Sequence, residues 1–175
     1  NAKKIEKIRK NFKFHKFIFH PDTAENIIKN YYKEIPHIAA FSVSVWNERL
    51  SLKVAKILKE KFKTLIIFGG ASCPHDPREY FEKYPFIDIA IRAEGEDAFN
   101  GVLLKYLENK NDYSKIPNVG YRDQKTHKCI LNFEKFNFSR DLDIYPSPYL
   151  TGEFEYLVPD GKDHNYQIII ETNRG

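Results

Sequence analysis

Three short groups of residues have the types and positions to hold a ligand, and none has those needed to transform one. Ser42, Ser44 and Trp46 end one apolar run, Gly69 and Gly70 end a second, and Glu94, Gly95 and Glu96 follow a third. Hydroxyls offer hydrogen-bond donors and acceptors, an indole offers a flat face for stacking, and glycines let a ligand approach the backbone. The same residues also suit packing and turns: Trp46 can plug the end of a sheet, and the glutamates can stabilise a helix start through its dipole. Catalytic patterns do not occur. No two of the six histidines stand at i and i+3 or i+4, and none lies in a DxHxxG context. Neither a nucleophile elbow nor a phosphate-binding Walker loop is present, and Gly69-Gly70 lacks the third glycine of a dinucleotide fingerprint.

The elements that must position these residues alternate between strand and helix. PHIAAFSVSVWN reads as a buried strand over 37–45 feeding a helix, with Asn47 as its N-cap. NERLSLKVAKILKEKF then puts Leu50, Val54, Ile57, Leu58 and Phe62 on one helical stripe and its lysines on the other. TLIIFGG is a continuously apolar strand, as expected where helices cover both faces of a parallel sheet. After the loop ASCPHDP and a short helix PREYFEKY, FIDIAIRA gives a further strand. AEGEDAFNGVLLKYLENK gives a helix with Phe99, Val102, Leu103, Tyr106 and Leu107 toward the sheet. Upstream, residues 3–12 read as a short amphipathic helix, FHKFIFH as a strand over 13–20, and Ala24, Ile27, Ile28, Tyr31 and Tyr32 as a helix stripe. IPNVGYRD and KCILNF form a hairpin at the sheet edge, and the Pro-bearing stretch from Glu134 to Asp163 reads as a linker.

The pattern predicts an α/β fold: a Rossmann-like (flavodoxin-like) parallel sheet with helices on both faces, plus a small C-terminal hairpin and linker. In such a sheet ligands sit at the carboxyl ends of the strands, which is where all three groups fall. Composition narrows the partners. With 28 basic and 24 acidic residues interspersed, the net charge of +4 gives no footprint for nucleic acid. Cys73 and Cys129 lack the spacing of a zinc site or disulfide framework. Two lone thiols, no signal-peptide pattern and no apolar run of membrane-spanning length predict a cytoplasmic chain without membrane contact.

Five motifs taken together carry a resemblance. AFSVSVWN, FGGASCP, DIAIRAEGEDAF, DLDIYPSPYL and IIIETNRG, in this order and spacing, resemble the amino-terminal part of cobalamin-dependent radical S-adenosylmethionine proteins, over roughly residues 13–175. The resemblance implies that residues 3–110 form a cobalamin-binding-like domain, 111–163 a hairpin and linker, and 164–175 the start of a truncated radical S-adenosylmethionine domain. It implies cobalamin as cofactor, held by Ser42, Ser44, Trp46, Gly69, Gly70, Glu94 and Gly95. The cobalt would have no protein ligand beneath it. In the parent protein it implies an iron-sulfur cluster and S-adenosylmethionine as well, with the missing radical S-adenosylmethionine barrel as partner and methyl transfer or a related radical reaction as the chemistry. This chain would stop before the cluster cysteines and have no catalytic residue or metal ligand of its own.

Two departures from the family pattern bear on that reading. Ala93 stands where the family usually has glycine. The family's first strand would precede residue 3 and lie between the strands at 13–20 and 37–45. Both leave open a degenerate α/β interaction domain that docks on the barrel without cobalamin. A receiver-like domain fits less well, because the strand before Trp46 ends in valine where a receiver needs an acceptor aspartate.

Overall fold

Leu65–Gly69 (β2) is the strand around which the sheet is built, and its apolar run is explained by what covers it. Leu65 and Ile67 join one buried cluster with Ala98 and Val102, while Ile66 and Phe68 join another with Val54, Ala55 and Leu58. A strand buried on both faces cannot alternate apolar with polar residues. In the computed structural model β2 pairs in parallel with Ile38–Ser42 (β1) on one side and with Ile89–Ile91 (β3) on the other. Val119–Arg122 (β4) runs antiparallel to β3, and Cys129–Asn132 (β5) antiparallel to β4, giving the sheet order β1-β2-β3-β4-β5. The structure describes residues 1–18, 22–31, 33–74, 76–108, 112–123, 125–132 and 141–157.

Helices flank the sheet on both faces. Glu6–Asn11 (α1), Ala24–Tyr31 (α2), Glu48–Phe62 (α3), Arg78–Lys83 (α4) and Glu96–Leu107 (α5) follow in chain order. α2, α3 and α4 supply Ala24, Ile27, Val54, Ala55, Leu58 and Phe81 to one face, and α5 supplies Ala98 and Val102 to the other. α1 packs on α5, with Ile8 fully buried and the Phe12 ring 6.1 Å from that of Tyr106. The α3 stripe holds at Val54 and Leu58. Phe62, at the helix end, is 42% exposed, because Lys63 turns the chain out through a left-handed conformation (φ 59°) before the stripe completes its last turn. α2 begins as Thr23 accepts the Asn26 N–H on its hydroxyl at 3.2 Å.

The alternation of strand and helix after residue 37 stands, and the hairpin lies at the sheet edge as its sequence implies. The strand expected over 13–20 does not form in its described part: residues 12–18 have no regular structure, and residues 19 and 20 lie outside the described residues. Its apolar residues have no single face to bury. Ile18 packs on the α2–α3 cluster, whereas Phe14 and Phe17 are exposed, so the segment has neither a partner strand nor a clean alternation to hold it in a sheet. Among the described residues β1 is therefore the end strand of the sheet.

At the amino end of the strands, away from the candidate ligand groups, Asp88 accepts the Ile66 N–H at 2.8 Å and both of its oxygens meet Lys59 Nζ at 2.7 Å. This partly buried pair ties α3 to the sheet. The chain separates into two compact units, Ala2–Phe136 and a second comprising Asn1 with Asn137–Gly175. Within the second, short 3-10 turns occur at Leu142–Ile144 and Glu155–Leu157, and Thr151 bonds through its N–H and its hydroxyl to the Ser147 carbonyl. The apolar IIIET stretch lies outside the described residues. No helix among the described residues is long and apolar enough to cross a membrane.

Candidate functional site

The carboxyl ends of β1, β2 and β3 form the crest on which the three residue groups meet. Val43, fully buried, continues β1 by donating its N–H to Gly69 O at 2.7 Å, and its carbonyl accepts the Ser72 N–H at 3.0 Å. The end of β1 and the turn after β2 are thus one bonded unit. Gly70 has φ 96°, a conformation L residues rarely adopt, and a Cβ there would stand 2.7 and 2.8 Å from Val43 N and O and 3.1 Å from Ser42 Oγ. The chain's own backbone occupies that space, so glycine at 70 serves the turn. Gly69 differs: a Cβ there would meet Ile91 O at 3.4 Å, an ordinary contact.

Beyond Val43 the chain makes a tight turn. Ser44 O accepts the N–H groups of Asn47 and Glu48 at 3.0 and 3.1 Å, and this turn thrusts Val45 and Trp46 outward, 85% and 87% exposed. Among the described residues Trp46 therefore does not plug the end of the sheet, since a plug would be buried. Asn47 takes the N-cap position of α3, but its side chain makes no capping bond. Its amide reaches back instead, donating from Nδ2 to Ser42 O at 2.9 Å and accepting the Ser44 N–H on Oδ1 at 2.8 Å. A cap and a backward clasp demand the same residue type, so the sequence alone does not separate them.

The third group begins at Arg92, which is buried and donates its N–H to Asn118 O at 3.0 Å. Ala93 follows with φ 52°, in the left-handed region that glycine occupies without penalty. Gly95 stands at the N-cap of α5 with no side-chain cap, and a Cβ there would meet Ile91 Cγ2 at 3.4 Å. Gly69 and Gly95 thus both abut Ile91, which joins the β2 and β3 ends. Ser42 and Gly70 are exposed, and Ser44, Gly69, Glu94 and Gly95 are half-buried.

Behind the crest, polar groups brace the loops. Tyr80 on α4 donates its hydroxyl to Glu48 Oε1 at 2.9 Å, linking α4 to the first turn of α3. Burial first, and the bond to Glu48 second, push the Tyr80 hydroxyl far above its ordinary range, so it remains a donor. Burial pushes the Cys73 thiol up to about 11 against the opposing pull of Arg92, which keeps it a neutral thiol and a poor nucleophile near pH 7. Asp76 is exposed and held down at about 2, chiefly by its bonds to Arg78. Among the described residues no three His, Cys, Asp or Glu side chains gather as metal ligands, and His75 lies outside the described residues. The crest offers small side chains, an exposed indole and hydroxyls.

No protein-family model matches the chain. It is 34% identical over 143 residues to the cobalamin-dependent radical SAM methyltransferase TokK of Streptomyces tokunonensis, an alignment covering 80% of this chain and 21% of that protein. It is 32% identical over 143 residues to the 2-(S-pantetheinyl)-carbapenam-3-carboxylate methyltransferase of Streptantibioticus cattleyicolor, again 80% of this chain and 21% of the relative. The chain thus spans about a fifth of the length of these curated relatives. A solved structure, that of the cobalamin-dependent S-adenosylmethionine radical enzyme OxsB with aqua-cobalamin bound, matches with a TM-score of 0.53 at 21% identity. It covers 66% of this chain and 16% of that one, a likeness of fold.

Proposed function

We propose that this chain, a relative of cobalamin-dependent radical S-adenosylmethionine enzymes, is the module that holds cobalamin for a catalytic barrel in a longer protein. The observation that carries the reading is the coincidence of two independent findings. A relative named for cobalamin aligns over 80% of the chain, and the strand ends that α/β folds use for ligands carry an exposed indole beside small residues. Ser42, Ser44, Trp46, Gly69, Gly70, Glu94 and Gly95 are the residues assigned to the cofactor, and residues 3–110 the domain that presents it. Residues 111–163 serve as hairpin and linker, and 164–175 begin the radical S-adenosylmethionine domain.

The residues suit the group. Cobalamin is a broad disc fringed with amides, so it needs a wide seat with scattered donors and acceptors. Small side chains at 42 and 44 leave room for such a seat, while Gly69, Gly70 and Gly95 let the turns that bound it pack closely on Val43 and Ile91. Trp46, with 87% of its surface free, supplies an apolar face of matching flatness. Bound cobalamin would supply a cobalt-carbon bond from which a methyl group can be delivered. The part played by this chain is to orient the disc and shield one face. The iron-sulfur cluster, S-adenosylmethionine and the substrate belong to the longer protein in this reading, as does its methyl transfer.

The test is the ultraviolet-visible spectrum of the chain after incubation with hydroxocobalamin and desalting. Retention of cobalamin at near one-to-one stoichiometry is expected. A chain that is folded by circular dichroism yet retains none overturns the reading, and favours an α/β domain that docks on the barrel without cofactor.

A further inference from the structure

The side chain of Asn47 ties together the beginning and the end of the crest loop after β1. It donates to Ser42 O and accepts from Ser44 N, the two residues on either side of Val43. Val43 is itself immobilised, being fully buried and bonded to both Gly69 and Ser72. The amide therefore clips the loop to a fixed point of the sheet, and the turn carrying Trp46 closes between Ser44 and Asn47.

The helix does not require this arrangement. Ser44 O accepts the Asn47 and Glu48 N–H groups, and Asn47 O accepts the Ser51 N–H, so α3 starts on backbone bonds. The side chain is free to serve the loop. The clasp needs a donor and an acceptor side by side on a short planar group, which asparagine has. Aspartate supplies only acceptors near neutral pH, and serine has one oxygen for both tasks.

We infer that Asn47 is a positioning residue for cobalamin, acting through Ser42, Ser44 and Trp46 without touching the cofactor; the inference rests on the cobalamin reading above. A loop released from its clasp samples conformations that cannot bind, and apparent affinity falls by the fraction lost. With two hydrogen bonds removed, the expected loss for Asn47→Ala is about tenfold in hydroxocobalamin affinity.

Trp46 is the single tryptophan of the chain, which makes its fluorescence a local report. Two readouts are taken on wild type, Asn47→Ala and Asn47→Asp: Trp46 anisotropy without cobalamin, and quenching of Trp46 on titration with hydroxocobalamin. The expected result is lower anisotropy and weaker binding in Asn47→Ala, with Asn47→Asp between it and wild type because one acceptor bond to Ser44 survives. Unchanged anisotropy, or wild-type affinity in Asn47→Ala, overturns the inference. The near-isosteric Asn47→Asp serves the same comparison should the alanine variant fail to fold, and wild-type values in it overturn the inference equally. A wild-type chain that does not bind hydroxocobalamin refutes the functional reading, and the cofactor part of this inference with it. The anisotropy then still decides whether Asn47 holds the loop.

Discussion

Gly69 and Gly70 are adjacent and look equivalent in the sequence, yet the structure assigns them very different tolerance of a methyl group. At Gly70 an added Cβ would lie 2.7 Å from Val43 N and 2.8 Å from Val43 O, inside any real contact distance, with φ at 96°. The left-handed backbone alone costs an alanine about 1–2 kcal/mol. Relief of the clash must move Val43, whose N–H and carbonyl bond Gly69 and Ser72 at 2.7 and 3.0 Å. Weakening one of those bonds adds about 1 kcal/mol. The stiffer unfolded chain returns about 0.4–1 kcal/mol. Gly70→Ala should therefore lose about 1–2.6 kcal/mol, the balance of these contributions. At Gly69 the nearest atom to a Cβ would be Ile91 O at 3.4 Å, so Gly69→Ala should stay within about 1 kcal/mol of wild type. Urea denaturation of both variants, followed by far-ultraviolet circular dichroism, measures the difference. Equal destabilisation of the two, or a larger loss at Gly69, would refute the argument that the Val43 backbone dictates glycine at 70.

Ala93→Gly should raise stability by up to about 1 kcal/mol, since relief of the left-handed conformation outweighs the added freedom of the unfolded chain. A lower urea midpoint for the variant would show that Ala93 makes packing contacts worth more than its strain. The Cys73 thiol has its value raised by burial from 9.0 to about 11. Between those values the unfolded chain gives up the proton and the folded chain keeps it, so folding stability falls as pH rises. The slope is about 1 kcal/mol per pH unit for this one group. Cys73→Ala should flatten the fall between pH 9 and 11 by that amount, and parallel stability curves for wild type and variant would contradict it.

Much of the scaffold is readable from local pattern because its causes are local. The unbroken apolar run of β2 follows from burial on both faces, and the 3.6-residue spacing of Val54 and Leu58 from the need of one helix face for the sheet. That the resemblance leads one to expect glycine at position 93 could be noticed from sequence, and the φ of 52° at Ala93 gives the physical reason. The run over 13–18 misled because strand-forming composition is necessary but not sufficient: a strand also needs a neighbour, and pairing is a property of the whole sheet. Periodicity likewise extended the α3 stripe to Phe62, one turn beyond the point where the sheet can cover it.

The amino-acid sequence by itself determined the order of strands and helices after residue 37, and the placing of small residues and Trp46 at strand ends, since these depend on spacing along the chain. Tertiary structure decided which way Trp46 faces, whether Asn47 caps a helix or clasps a loop, and which glycine of the pair is irreplaceable. Each of these turns on a contact with a residue brought near by folding: Ser42 and Ser44 for Asn47, Val43 for Gly70, Ile91 for Gly69. A side chain with a donor and an acceptor can satisfy them in several ways of similar energy, and only the assembled neighbours select one.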